Sequence, residues 1–230
     1  MVSAPLSAWI AARFTPARPL PLTRREKLGL AIGAFCGAMI SSKLPYVIIS
    51  AGSEQGMRAW FQDGKTILFG MLGGYLGVEM AKYIMNVRIK TGDNFVVPAA
   101  VAIAVGRLGC FYGGCCYGTT TNLPWACRFG DGIPRHPTQL YEFIFHTTMA
   151  ILFYNFVKRR MFQGNLIKIY FLSYFAYRFV TEFIRPEQRL LCDLTLYQWT
   201  ALVLTPVFVF LYWKDSRPRE LVSIPDGTAG

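Results

Sequence analysis

The chain has 230 residues, 53% of them hydrophobic and only 16% charged, and its mean hydropathy is +0.32. That is too apolar for an ordinary soluble domain, where about a quarter of residues carry charge. The net charge of +11 would suit a nucleic-acid binder, but in a membrane protein excess Lys and Arg is the cytoplasmic-loop bias that sets orientation. The composition therefore predicts an all-α, polytopic integral membrane helix bundle of about six transmembrane helices, with a small outer-face loop region and no nucleic-acid partner. The cysteine pattern does not mark a small disulfide scaffold.

In chain order, residues 1–26 read as a basic, Pro-rich cytoplasmic segment in which Ser7 to Phe14 could lie on the membrane surface as an amphipathic helix. Residues 27–213 form the membrane domain, and residues 214–230 a polar, disordered cytoplasmic tail. Apolar runs near the ~20 residues needed to cross a bilayer place spans at Leu28–Ile49, Thr66–Met85, Phe95–Tyr112, Thr138–Val157, Asn165–Ile184 and Leu196–Trp213. Gly29, Gly33 and Gly37 in the first span, with Gly70, Gly73, Gly74 and Gly77 in the second, predict close helix–helix contact. Glu79 and Lys82 are one turn apart and can pair. Tyr197, Trp199, Tyr212 and Trp213 lie near the ends of the sixth span, where aromatic residues anchor at the interface. Basic residues collect at alternate ends of the spans, including Arg24, Arg25, Arg88, Lys90, Lys158, Arg159, Arg160, Lys168 and Lys214. That alternation puts both termini in the cytoplasm.

This topology brings Arg107, Gln139, Glu142, Arg178 and Glu182 to one depth, the outer leaflet. An arginine at the bilayer centre costs about 2.5–3.5 kcal/mol or more, so such residues mark function by default. The plain alternative is that Arg107 and Arg178 pair with Glu142 and Glu182 only to hold the bundle, but desolvation makes buried pairs poor glue. The functional alternative is a site for an anionic group at the membrane surface, because guanidinium binds phosphate through paired N–H donors. A phospholipid headgroup is the natural ligand there.

Cys110, Cys115, Cys116, Cys127 and Cys192 all fall at outer ends, and Cys36 within the first span. Packing of small apolar residues, a disulfide from Cys127 to Cys115 or Cys116, and a zinc set of Cys110, Cys115 or Cys116, Cys127 and His136 are the alternatives. The expectation is no resident metal and no cofactor. His146, one turn below Glu142, reads as a buried histidine bonded to Glu142 rather than as a catalytic base.

The run Gly106-Arg107-Leu108-Gly109-x-Phe111-x-x-Gly114-x-x-Tyr117-Gly118 resembles the signature of the bacterial prolipoprotein diacylglyceryl transferase family. So do Leu123-Pro124-Trp125-Ala126, Pro134-Arg135-His136-Pro137-Thr138-Gln139-Leu140-Tyr141-Glu142 and Tyr177-Arg178-Phe179-Val180-Thr181-Glu182-Phe183-Ile184-Arg185-Pro186. The resemblance implies transfer of diacylglycerol from phosphatidylglycerol to the lipobox cysteine thiol of a preprolipoprotein. The partners are then phosphatidylglycerol, membrane lipid and a preprolipoprotein signal peptide, in the bacterial plasma (inner) membrane. It implies catalytic roles for Arg107, Arg178, Glu142 and Glu182, and substrate-binding roles for Gly109, Cys110, Gly114, Tyr117, Gly118, Gln139, Tyr141 and Arg185. Four departures stand out. Leu72 occupies the place of a family histidine before Gly73-Gly74, Cys110 that of an asparagine and Cys115 that of an acidic residue. A further N-terminal span expected of the family has no counterpart. A headgroup transferase with another acceptor, or an inactive lipid-binding or transport protein, are the alternative functions.

Overall fold

The computed structural model describes residues 21–49 and 66–216. The Ser7–Phe14 surface helix and the chain beyond Ser216 lie outside the described residues.

Helix α1 (Arg24–Ser41) begins where Thr23 and Glu26 form a capping box. The Glu26 N–H donates to Thr23 Oγ1 (3.3 Å), and the Thr23 N–H donates to Glu26 Oε2 (2.7 Å), so two orphan donors are satisfied at once. The first predicted span is not one helix. It breaks at Ser42 and resumes as α2 (Leu44–Ile49), because Pro45 has no N–H with which to continue the ladder onto Ser41, whereas in a first helical turn that donor is not needed.

Helix α3 (Ile67–Ile84) packs lengthwise on α1. A Cβ added at Gly37 would fall on the Gly73 carbonyl, and one at Gly77 on that of Gly33. The two backbones touch through the predicted glycine stripe, the small-residue packing of membrane helices. Thr66 ties the start of α3 to the end of α1, its N–H (3.1 Å) and Oγ1 (3.0 Å) both donating to the Ser42 carbonyl. Glu79 and Lys82 form the expected pair, at 2.9 Å.

Helices α4 (Gly92–Tyr112), α5 (Thr138–Lys158), α6 (Leu166–Thr181) and α7 (Leu196–Ser216) complete the bundle. Helix α6 is its hub. One of its faces buries Phe171, Tyr174 and Phe175 against Leu68 of α3 and Tyr197, Ala201 and Phe208 of α7. Its other face buries Leu166 and Tyr170 against Val96, Val97 and Ala100 of α4 and Ala150 and Phe153 of α5. At the basic end, Asp93 of α4 accepts from the Leu166 N–H (3.1 Å) and from the Gly164 N–H. Asp215 of α7 pairs with Lys90 (3.1 Å) and with Lys168. Lys168 is thus a buried, neutralised strut rather than one of the free cytoplasmic charges the alternation counted.

Among the described residues, three stretches are long and apolar enough to cross a membrane: Arg24–Ile48, Gly92–Tyr112 and Leu196–Ser216. Helix α6 has 16 residues, about 24 Å at 1.5 Å per residue, shorter than a ~30 Å hydrocarbon core. Its predicted extension to Ile184 is instead a tight 3₁₀ turn, Glu182–Ile184. The architecture agrees with the expected all-α bundle of about six long helices. Between α4 and α5 lies a loop region, the one expected on the outer face, with a two-residue antiparallel pair, β1 (Cys127–Arg128) and β2 (Pro134–Arg135).

Candidate active site

Three helix ends meet at this loop region. Arg107 comes from the last turns of α4, Gln139 and Glu142 from the first turns of α5, and Arg178 from the last turn of α6. Glu182 and Arg185 come from the 3₁₀ turn and the residue after it. All are buried. Glu142 is the centre. One of its carboxylate oxygens faces Arg107 Nε, and the other lies 3.0 Å from Arg185 Nη2 and 3.4 Å from Arg178 Nη1. The Tyr174 hydroxyl stands 3.4 Å from the same oxygen. Arg178 Nη2 pairs with Glu182 at 3.0 Å, and its guanidinium lies 4.7 Å over the Tyr197 ring. Tyr197, read from sequence as an interfacial anchor, is therefore a buried platform under Arg178.

Three guanidiniums against two buried carboxylates leave one positive charge in excess. Arg107, Arg178 and Arg185 line a cavity of about 180 Å³ whose wall also includes Tyr46, Tyr117, Cys116 and the carboxylate of Glu187. A guanidinium offers five N–H donors, and the contacts to Glu142 and Glu182 use only some of them. Such an arrangement can hold an anionic group. Arginine cannot lose its proton here, so the positive field persists at any physiological pH.

The remaining sequence candidates divide. Tyr117 faces the cavity, stacked on Phe129 (5.2 Å) and covered by Arg135 (4.7 Å). Gly109 has open space where a Cβ would stand, as does Gly114, which adopts φ +62°. Gly118 is different: a Cβ would meet the Ile184 carbonyl at 2.6 Å and Thr138 Cγ2 at 2.8 Å, so its smallness serves loop packing. Gln139 is wholly buried and donates from Nε2 to the Cys115 carbonyl (2.5 Å), which positions the loop. The Tyr141 hydroxyl accepts from Trp125 Nε1 (2.8 Å) and lies 3.3 Å from His136 Nδ1, again within the loop. Asp131 braces the hairpin by accepting from the Ile133 N–H and pairing with Arg135 (2.7 Å), and those contacts hold its carboxyl below the usual range.

His146 is buried, as expected, but its Nδ1 bonds the Tyr170 hydroxyl (2.8 Å), not Glu142. The three arginines already occupy Glu142. Cys127 is a free thiol that donates to the Trp125 carbonyl (3.7 Å), so neither the disulfide to Cys115 or Cys116 nor a zinc set with Cys127 and His136 is formed. Cys110, Cys115 and Cys116 instead gather together, their sulfurs within 4.8 Å of one another. The Cys116 thiol is drawn down to about 5 by a hydrogen bond from Cys110, aided by Arg107, while burial pushes the Cys115 thiol up. The sequence reading grouped Cys110 with only one of Cys115 and Cys116, not with both. The signal that could have found the trio is the Cys-x4-Cys-Cys run across a helix end followed by glycines.

Fold and site together define a membrane-embedded helical protein with an anion pocket at one end of the bundle. The model of the prolipoprotein diacylglyceryl transferase family matches residues 1–214, and the chain belongs to that family. It is similar to the phosphatidylglycerol–prolipoprotein diacylglyceryl transferase of Bordetella parapertussis, with 28% identity over 90% of this chain and 84% of the relative. To that of Clostridioides difficile it is 30% identical, over 81% of this chain and 77% of the relative. To that of Aliivibrio fischeri it is 32% identical, over 73% and 64%.

Proposed function

We propose that the chain transfers the diacylglyceryl group of phosphatidylglycerol to the cysteine thiol of a prolipoprotein, at the outer leaflet of the bacterial inner membrane. The observation that carries this reading is that Arg107, Arg178 and Arg185, all held by Glu142, line one small cavity. The bond to be broken is the C–O bond between the diacylglyceryl carbon and the phosphodiester oxygen. The acceptor thiol loses its proton and attacks that carbon as the thiolate, the better nucleophile. A C–S thioether forms, and the electron pair of the C–O bond leaves on glycerol phosphate. Charge grows on the departing phosphate, and fixed guanidinium donors in a water-poor site stabilise that growth without reorganising.

In this reading Arg107 and Arg178 hold the phosphodiester, and Arg185 is a third donor. Glu142 and Glu182 hold the three guanidiniums in place. Gly109 and Gly114 leave room for the lipid backbone, Cys110 and Tyr117 border it, and Gln139, Tyr141 and Gly118 fix the loop that forms the rim. The signal peptide enters laterally between helices and presents its thiol. Leu72, which replaces the family histidine, faces the α3–α7 core and cannot act as a base. The thiol proton therefore leaves to solvent or to the departing phosphate.

The test uses the purified protein in detergent, glycerol-labelled phosphatidylglycerol and a lipobox peptide. Diacylglyceryl thioether on the peptide and equimolar labelled glycerol phosphate are expected, with turnover lost at least a hundredfold in Arg107→Ala, the scale of removing one oxyanion donor. Full turnover in that variant would remove the phosphate-holding role.

A further inference from the structure

Beyond bordering the pocket, the thiols of the cysteine trio take no part in the chemistry just described. Cys110 occupies the last turn of α4, and Cys115 and Cys116 the turn that follows. All three are free thiols, with the sulfurs of Cys115 and Cys116 at 3.8 Å and all three within 4.8 Å of one another. Around a tetrahedral ion with metal–sulfur bonds of about 2.3 Å, ligand sulfurs stand about 3.8 Å apart. One pair is already at that separation, and the third sulfur needs to close by about 1 Å at most.

The turn that carries the thiols is fixed rather than free to collapse. Gly114 and Cys116 both adopt left-handed backbone, each at φ +62°, and this reversal folds the segment back over α4. The Cys115 N–H donates to the Cys110 carbonyl (3.1 Å). From α5, Thr138 Oγ1 donates to the Cys116 carbonyl (2.7 Å) and Gln139 Nε2 to the Cys115 carbonyl (2.5 Å). Both of those side chains are buried, so the ligand-bearing backbone is braced by the same helix that carries Glu142. Among the described residues this is the only such grouping of potential metal ligands.

We propose that Cys110, Cys115 and Cys116 form a binding site for one thiophilic cation of the zinc class, at the rim of the arginine pocket. Thiolates select soft and borderline ions, and the exposure of Cys115 and Cys116 leaves a fourth position to water. On binding, the thiols release their protons to solvent, and nothing is oxidised or reduced. A divalent ion with three thiolates is a net monoanion. Cys116 shares the cavity wall with Arg107, so the occupied site competes with an anionic headgroup for that guanidinium. This consequence, unlike the metal site itself, rests on the phosphate-holding reading of the pocket.

Cadmium is the probe, titrated into the reduced full-length protein in detergent and followed by the ultraviolet thiolate-to-cadmium band. The band is expected to saturate at one ion per chain, to survive joint replacement of Cys36, Cys127 and Cys192 by Ser, and to be lost in Cys115→Ser and Cys116→Ser. No band, or a band that persists in those two variants, overturns the site. The ratio of transfer with zinc to transfer without it should be below one tenth in the native chain and close to one in Cys115→Ser. Cadmium binding with an unchanged ratio overturns the competition and leaves the site. A chain with no transfer at all is judged on the cadmium titration alone, which needs no activity.

Discussion

Glu142 holds three arginines and a tyrosine by one carboxylate, so its removal should act on folding more than on chemistry. Glu142→Gln leaves three buried guanidiniums facing Glu182 alone. Breaking a buried charge pair from one side costs about 3–5 kcal/mol, and a fall of that size in unfolding free energy in detergent is the expected outcome. Arg107→Ala should behave oppositely, because Arg178 and Arg185 still neutralise Glu142: the fold is kept and transfer is lost. Equal stability of the two variants would show that Glu142 is not the keystone. The meeting of Arg107, Glu142, Arg178 and Glu182 was legible in the sequence, since four charges in apolar runs at matching depths have few other places to go. The carboxylate of Glu142 as a shared centre was not legible, because it depends on how far each long side chain reaches. The same holds for His146, which turns to Tyr170 once Glu142 is taken, and for Tyr197, whose place under Arg178 depends on the rotation of α7.

At the scale of elements, the glycine stripe is the most literal translation of pattern into structure. Gly33 and Gly37 of α1 touch Gly73 and Gly77 of α3 backbone to backbone, as spacing by four predicts for membrane helices. Gly37→Leu would push the helices apart and should destabilise the protein by about 1–3 kcal/mol or more, the range for overpacking. Gly70→Ala is the control, since its new Cβ would meet Ser42 Cβ at an ordinary 3.6 Å. Detergent melting of both variants measures the difference, and similar losses would mean that the stripe is not the contact that matters. Where sequence reading went astray among the elements, local backbone chemistry explains it. The first apolar stretch does continue through Pro45, as Arg24–Ile48, but a missing donor interrupts its helix after Ser41; hydropathy carried the fifth span through Glu182, where a tighter 3₁₀ turn ends α6. That second departure has a functional reading: the turn swings Arg185 back towards Glu142, and an uninterrupted helix would have carried it past.

Over the whole molecule, paired charge is sorted between two ends, buried at the first and, Lys168 apart, exposed at the second. Arg107, Glu142, Arg178 and Glu182 lie at one. Lys90, Lys168 and Asp215 lie at the other, with Asp93 capping the start of α6 beside them. Helices α4 to α7 run alternately between these ends, so the loop positions fix the orientation of the bundle once one of them is known. The positive-inside rule predicts that the end with Lys90, Lys158, Arg159, Arg160 and Lys214 faces the cytoplasm, and the arginine pocket would then open at the outer leaflet. Cys192, exposed between α6 and α7, and Lys214, exposed near the end of α7, report the two sides. A chain whose only thiol is Cys192 should react with a membrane-impermeant maleimide on intact spheroplasts. A cysteine-free chain carrying Lys214→Cys should react only after the membrane is opened. The reverse pattern would put the pocket on the cytoplasmic leaflet, where a thiol awaiting lipid before export would meet it from the opposite side. Orientation and chemistry are therefore one question here, because the pocket can act only on the leaflet its arginines face.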